Sequence, residues 1–292
     1  MASARDILRR IKSVKNIGQV TRAMEAVSAS KMRKAQERTL ASRAYAVKAR
    51  EVLSFLAAQP GAEGAHSLLQ ERENVRRVAL ILITPDRGLA GALISNILRV
   101  AMRFIQQNQD KEIVVVTVGK KGRDFMVRYG PRLLASFPNP GDKVSSADAS
   151  AISQVAMDGF LGGEFDAVYL LYVEFISMLS QHPTVLQLLP LKPEIGGTGG
   201  LSAEYLIEPS PEAVLESLLP TLVDMQVYQA LLESLSSEHS ARMVAMRAAT
   251  DNAKQLVEDL RLTYNKARQS AITSEILDIA GGAEALAQTM AE

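Results

Sequence analysis

The stretch "HSARMVAMRAATDNAKQLVEDLRLTYNKARQSA", residues 239–271, decides the fold. His239, Met243, Met246, Thr250, Ala253, Val257, Leu260, Tyr264, Ala267 and Ala271 follow one another at alternating spacings of four and three, the repeat of a helix laid along another helix. Thr and Ala stand where an ordinary zipper has Leu or Ile, so the partner helix must approach closely. A candidate partner lies at the other end of the chain. There Ile7, Ile11, Val14, Ile17, Val20, Met24 and Val27 recur at threes and fours, followed by an Ala- and Ser-rich stretch with Met32 and Ala35. Neither Gly nor Pro occurs from Gln19 to Gln59, or from Thr221 to Ala280. Sixty helical residues at about 1.5 Å each would reach roughly 90 Å. A helix that long needs a face packed against something, because propensity alone does not hold it.

The net charge of +1 hides an uneven distribution: +9 over residues 1–60, −2 over 61–210 and −6 over 211–292. Ends of opposite sign can bind each other or meet partners of opposite sign; together with the two small-residue seams they suggest an antiparallel pair of terminal helices within the chain. The other arrangement open to the sequence is two separate helices, each lying on the middle of the chain.

That middle reads differently. RRVALILIT (76–84) is a buried strand followed by the turn PDRGLAGAL and a helical pattern through SNILRVAMRFIQQNQ, EIVVVTVG (112–119) is a second buried strand, KKGRDFMVRYG is a short helix closed by Gly130, and residues 146–165 form another helix. DAVYLLYVEF begins a third strand, with TVLQLLPL as a hairpin partner. Alternating helices and continuously apolar strands predict a small, mostly parallel α/β domain. GGTGG (196–200) is a loop, and Ser210 followed by Pro211 is an N-cap and first helical residue opening the last helix. The expected organisation is 1–60 helix, 61–210 α/β domain and 211–292 helix.

Composition excludes several chemistries. With 47% hydrophobic and 22% charged residues the chain is globular in character. It has no cysteine, hence no disulfide, thiolate metal site or cysteine nucleophile, and a reducing compartment is expected. The start, MASARDILRRIK, has no apolar run of a signal peptide, and no stretch approaches the roughly 20 residues of a spanning helix. No P-loop occurs, and GLAGAL after the first strand is not the dinucleotide glycine pattern. Three scattered histidines make no zinc site without cysteine. No cofactor is expected. The loop Asp86-Arg87-Gly88-Leu89 admits a ligand site at the sheet edge or a plain turn in which Asp86 caps the following helix, and the turn is the favoured reading. Nucleic acid suits the basic first segment poorly, since its bases alternate with Ala and Met and stacking aromatics are almost absent.

Three separated signatures, "RRIKSVKNIGQVTRAMEAVSASKMRKAQ", "TPDRGLAGAL" and "ARMVAMRAATDNAKQLVEDLRLTYNKARQSAITSEILDIAGGAEAL", occur in one order over essentially the whole chain. In these it closely resembles the gamma-subunit family of F-type ATP synthases. The resemblance implies a long antiparallel coiled coil of the N- and C-terminal helices plus a small, mostly parallel, Rossmann-like α/β foot. It also implies a non-catalytic rotor, present in one copy, that carries torque from the proton-driven c ring to the hexamer of alpha and beta subunits. Implied partners are those subunits, epsilon and the c ring, with no nucleic acid. The implied location is peripheral, on the cytoplasmic face of a bacterial plasma membrane; the plant chloroplast type carries a cysteine pair that this chain lacks.

By the same resemblance Arg22, Met24, Lys31 and Arg33 lie near the lower part of the beta subunits. Arg242, Gln269 and Thr273 match polar hexamer contacts, and Arg268 and Ile272 approach the sleeve around the shaft tip. Tyr205 and Glu208 match the region that meets epsilon and the c ring. Two rival classes remain at this level: a coiled-coil scaffold that organises nucleic acid, and a small α/β enzyme with helical arms.

Overall fold

A computed structural model describes residues 4–57, 67–192 and 210–291. The elements are α1 (Ala4–Ala57), β1 (Arg77–Ile83), α2 (Leu93–Gln107), β2 (Glu112–Val118), α3 (Lys120–Tyr129), β3 (Arg132–Phe137), α4 (Ser146–Leu161), β4 (Ala167–Phe175), β5 (Gln181–Leu189) and α5 (Pro211–Ala291). The chain divides into two compact units, Met1–Val27 with Ala245–Glu292, and Ser28–Val244, so α1 and α5 each contribute to both.

In the first unit α1 and α5 run antiparallel. Glu25 pairs with Arg247 at 2.8 Å, the hydroxyls of Thr21 and Thr250 meet at 2.8 Å, and Gly18 faces Ala253. On α5 the predicted seam is observed: Met246, Thr250, Ala253 and Val257 are buried, and Leu260, Tyr264 and Ala267 partly so. On α1 it is corrected after Val14. Ile17, Val20 and Val27 are each more than half exposed, and the seam runs instead through Ile7, Ile11, Val14, Gly18, Thr21 and Glu25. Spacing beats hydrophobicity here. A strict alternation of four and three keeps one face on the partner, and small residues along it let the backbones close up. A methyl group built on Gly18 would sit 3.4 Å from the Ala253 Cβ, already in contact. Ala271 is exposed, contrary to the predicted seam. Counting seventeen residues from the Thr21–Thr250 pair puts Ala4 opposite Ala267, so the described α1 has nothing left to lay against Ala271.

The second unit is built on one sheet of order β3-β2-β1-β4-β5, parallel except for β5, which forms an antiparallel hairpin with β4. The uninterrupted apolar runs of β1 and β2 follow from burial on both faces. Ala79, Ile81 and Ile83 look toward α4, α5 and Ala35 of α1, while Leu80 and Leu82 look toward α2 and α3. The continuation of the α1 seam, Ser28, Met32 and Ala35, is buried in this unit. Among the described elements the sequence reading missed only the strand β3 and two short 3-10 turns. β3 is a half-exposed edge strand, too short and too mixed in pattern to announce itself. Ser210 does cap α5, its hydroxyl accepting the Ala213 N–H, and α4 opens with a Ser145–Asp148 capping box. GGTGG, Tyr205 and Glu208 lie outside the described residues.

Gly119 joins β2 to α3 at φ 95°, and a Cβ there would meet the Thr84 carbonyl oxygen at 2.0 Å, backbone against backbone. Gly119→Ala is therefore expected to destabilise the chain by at least about 2 kcal/mol. Gly281→Ala, in open space on α5, is expected to stabilise the helix by up to about 1 kcal/mol. Urea unfolding of the two variants checks both signs.

Candidate functional site

The carboxyl ends of parallel strands are where α/β folds hold ligands, and the crevice belongs where strand order reverses, between β1 and β4. Here the chain fills it with its own groups. Ser234 accepts the Val173 N–H and Ser237 donates to the Val173 carbonyl, so α5 lies against the end of β4. Ser240 donates to the Met178 carbonyl in the hairpin turn. Arg242 is nine-tenths buried; its guanidinium pairs with Glu238 at 2.7 Å and donates to the Gly88 carbonyl at 3.2 Å. The loop it braces carries Leu89 at φ 63°, a left-handed conformation unusual for a branched side chain.

The N-terminus of α3 is also taken. Asp86 accepts the Lys120 N–H at 2.8 Å, so this carboxylate sits where a phosphate would bind. The structure thus supports the turn reading of the Asp86 loop, with one change: Asp86 caps α3, across the sheet, and not the following helix α2, whose N-cap Ala92 offers no side chain. Among the described residues no group of His, Asp and Glu is arranged to hold a metal.

A second cluster fastens the helices to the sheet. Asp142, in the 3-10 turn Gly141–Lys143 after β3, receives Lys31 Nζ at 2.6 Å and His239 Nε2 at 3.0 Å, and its carbonyl accepts Arg38 at 2.6 Å. Burial pushes the Asp142 carboxyl up, but the bonds from Lys31 and His239 outweigh it and hold the group below the usual carboxylate range. Burial of His239 pushes its pKa down, against the pull of Glu238 and Asp142. The imidazole is therefore neutral, and because a carboxylate only accepts, its single proton sits on Nε2. The Nδ1 atom is buried without a partner. Sequence reading placed His239 in an apolar seam and did not single out Asp142; a Gly-Asp-Lys turn carries no local signal that two helices will close on it.

The other expected contact residues are dispersed. In the first unit Arg22 is exposed and Met24 half-buried on α1, while Arg268, Gln269, Ile272 and Thr273 are all exposed on α5. Arg22 lies opposite about residue 249, some 20 residues and roughly 30 Å along the helix from Arg268. The two groups are separate places on the surface. Thr273 donates to the Gln269 carbonyl one turn back. In the second unit Lys31 is held by Asp142 and Arg33 is exposed.

A protein-family model described as ATP synthase matches residues 3–286. The ATP synthase gamma chain of Roseiflexus sp. (strain RS-1) is 51% identical over 290 residues, covering 99% of this chain and all of the relative. The chain belongs to the ATP synthase gamma-chain family. A chain of the Euglena gracilis mitochondrial ATP synthase, OSCP/F1/c-ring, shares the fold at a TM-score of 0.69 and 20% identity, over 97% of this chain and 94% of its own length. One of the Tetrahymena thermophila mitochondrial ATP synthase central stalk and c ring is 26% identical at a TM-score of 0.59, over 79% of this chain and 99% of its own. A gamma chain is the central-stalk subunit of a rotary complex and not its catalytic site, which agrees with a crevice filled by the chain's own side chains. It is peripheral to the membrane; no described helix is long and apolar enough to cross one.

Acidification should loosen the second unit. Because the pKa of His239 is lower folded than unfolded, the unfolded chain binds more protons below about pH 6.5, and stability falls as pH drops through that window. Asp142 contributes in the same direction only further down, below the ordinary carboxylate pKa. Melting temperatures from pH 8 to 5 should fall more steeply for the parent chain than for His239→Gln, which keeps a donor for Asp142 and cannot titrate.

Proposed function

We propose that the chain turns as the torque-carrying axle of an F-type ATP synthase of bacterial type, at the cytoplasmic face of the plasma membrane. The terminal helices, residues 1–60 and 211–292, form the shaft and residues 61–210 the foot. One copy stands in the hexamer of alpha and beta subunits, and the foot is gripped by epsilon and the c ring. Proton flow turns the ring, the asymmetric shaft turns with it, and the nucleotide sites of the beta subunits open and close in sequence. The observation that supports this reading best is the pairing of α1 with α5 through hydroxyls, Gly and Ala, joined to a sheet whose ligand crevice α5 fills.

The contact residues follow from the same reading. Arg22, Met24, Lys31 and Arg33 face the lower beta subunits, and Gln269 and Thr273 meet the hexamer near the tip; Arg242, matched to a hexamer contact by family likeness, is instead nine-tenths buried on Glu238 and the Gly88 carbonyl. Arg268 and Ile272 turn in the sleeve around the tip, and Tyr205 and Glu208 meet epsilon and the ring. Apolar side chains left uncovered on this surface, among them Ile17, Val20, Val27, Leu262, Ile276 and Ile279, are what a shaft needs if its bearing is protein.

Native mass spectrometry of the detergent-extracted complex tests the assignment. The expected species holds one copy of this chain with three alpha, three beta, epsilon and the c ring. Release of the chain as a free subunit, or nucleotide hydrolysis by the pure chain, would refute it. Removal of residues 268–292 is expected to lower proton pumping more than ATP hydrolysis, measured on the same membrane vesicles.

A further inference from the structure

We infer that Asp142 is a positioning residue for torque transfer: a peg on the foot that holds both shaft helices at once. The inference rests on the axle reading above and goes beyond it, because nothing in the sequence signatures marks this turn. The peg is anchored first. Asn139 donates to the Thr84 carbonyl at the end of β1, and its own side-chain oxygen accepts the Gly141 N–H. The turn is thereby tied to the central strand of the sheet, and Gly141, at φ 61°, supplies the left-handed step that delivers the next residue to the helices.

The grip is then shared between helices. Lys31 and Arg38 are seven residues apart on α1, two turns along one face, and close on the Asp142 carboxylate and carbonyl respectively. His239 comes from α5 to the second carboxylate oxygen. Facing the imidazole are Asp142 and, from its own helix, Glu238 and Arg242. Close by, Thr39 and Ser236 meet at 3.5 Å and Ser42 donates to Gln229, so the two helices are also bonded to one another within this unit. A twist applied to the sheet therefore reaches α1 and α5 together, through a carboxylate that cannot slide because each oxygen is held from a different helix.

The loss of such a peg does not break the chain, whose backbone still joins foot and shaft. It lowers the stiffness of the joint. The experiment uses the complete complex in inverted membrane vesicles and compares Asp142→Ala with Asp142→Glu and Arg38→Met, the last at an exposed site outside the proposed hexamer contacts, where misfolding is not a concern. Asp142→Ala is expected to lower ATP-driven proton pumping roughly threefold against an imposed gradient, with hydrolysis and unloaded pumping near the parent level. Arg38→Met is expected to give a smaller drop, and Asp142→Glu to recover part of the loss. A single-molecule bead on the foot, with the shaft held, should show wider angular fluctuation for Asp142→Ala. If Asp142→Ala and Arg38→Met both assemble and pump against a gradient in the parent ratio to hydrolysis, the peg is overturned while the axle stands. If Asp142→Ala does not assemble, Arg38→Met alone decides. If the parent complex itself pumps without this chain turning, the axle reading fails instead.

Discussion

Two helices can share one long seam only if their backbones come near enough for short side chains to touch. In the first unit this is achieved with Gly18 on Ala253 and a hydroxyl pair at Thr21 and Thr250. The pair carries two protons for three bonds: Thr21 can donate to the Gly18 carbonyl or to Thr250, and Thr250 to the Met246 carbonyl or to Thr21. Whichever way the protons lie, both buried hydroxyls are satisfied, so the seam contains polar groups without the penalty of leaving one unpaired. Large side chains are consequently excluded from the interface and displaced outward, where Ile17, Val20 and Val27 sit exposed.

The second unit obeys a different constraint. A doubly covered parallel sheet has strands that are apolar throughout, and its polar opportunities collect at the strand ends. In most such folds those ends are left open for a ligand. Here serines of α5, Arg242 with Glu238, and the Asp86 carboxylate use them up. These atoms bond the strand ends and the loop after β1 to α5 and α3.

Much of this was legible in the sequence. The α5 seam could be read residue by residue because its spacing is strict and its residues mostly apolar. β1, β2 and β4 could be read because a short, unbroken run of β-branched and aliphatic residues fits a strand covered on both faces. The α1 seam was misread because Gly18, Thr21 and Glu25 look polar or weak, although they keep the four-three rhythm that Ile17 and Val20 break. β3 was missed because an edge strand needs little hydrophobicity. Asp142 and His239 are nearly a hundred residues apart, and their meeting is a property of the tertiary fold alone. The proposed contact residues of the shaft came from family likeness alone; Arg22, Arg33, Arg268, Gln269, Ile272 and Thr273 are exposed, whereas Arg242 is buried.

The register of the helix pair has one more consequence. Past Ala267 the last helix runs on with the described α1 ended, and residues 268–283 are exposed on every side. A solitary helix of this length draws only marginal stability from its own hydrogen bonds in water. If the tip turns in a bore as proposed, most of the free energy that keeps it straight comes from that bore, and for these residues rigidity and assembly are a single quantity: the spindle hardens as it is sheathed.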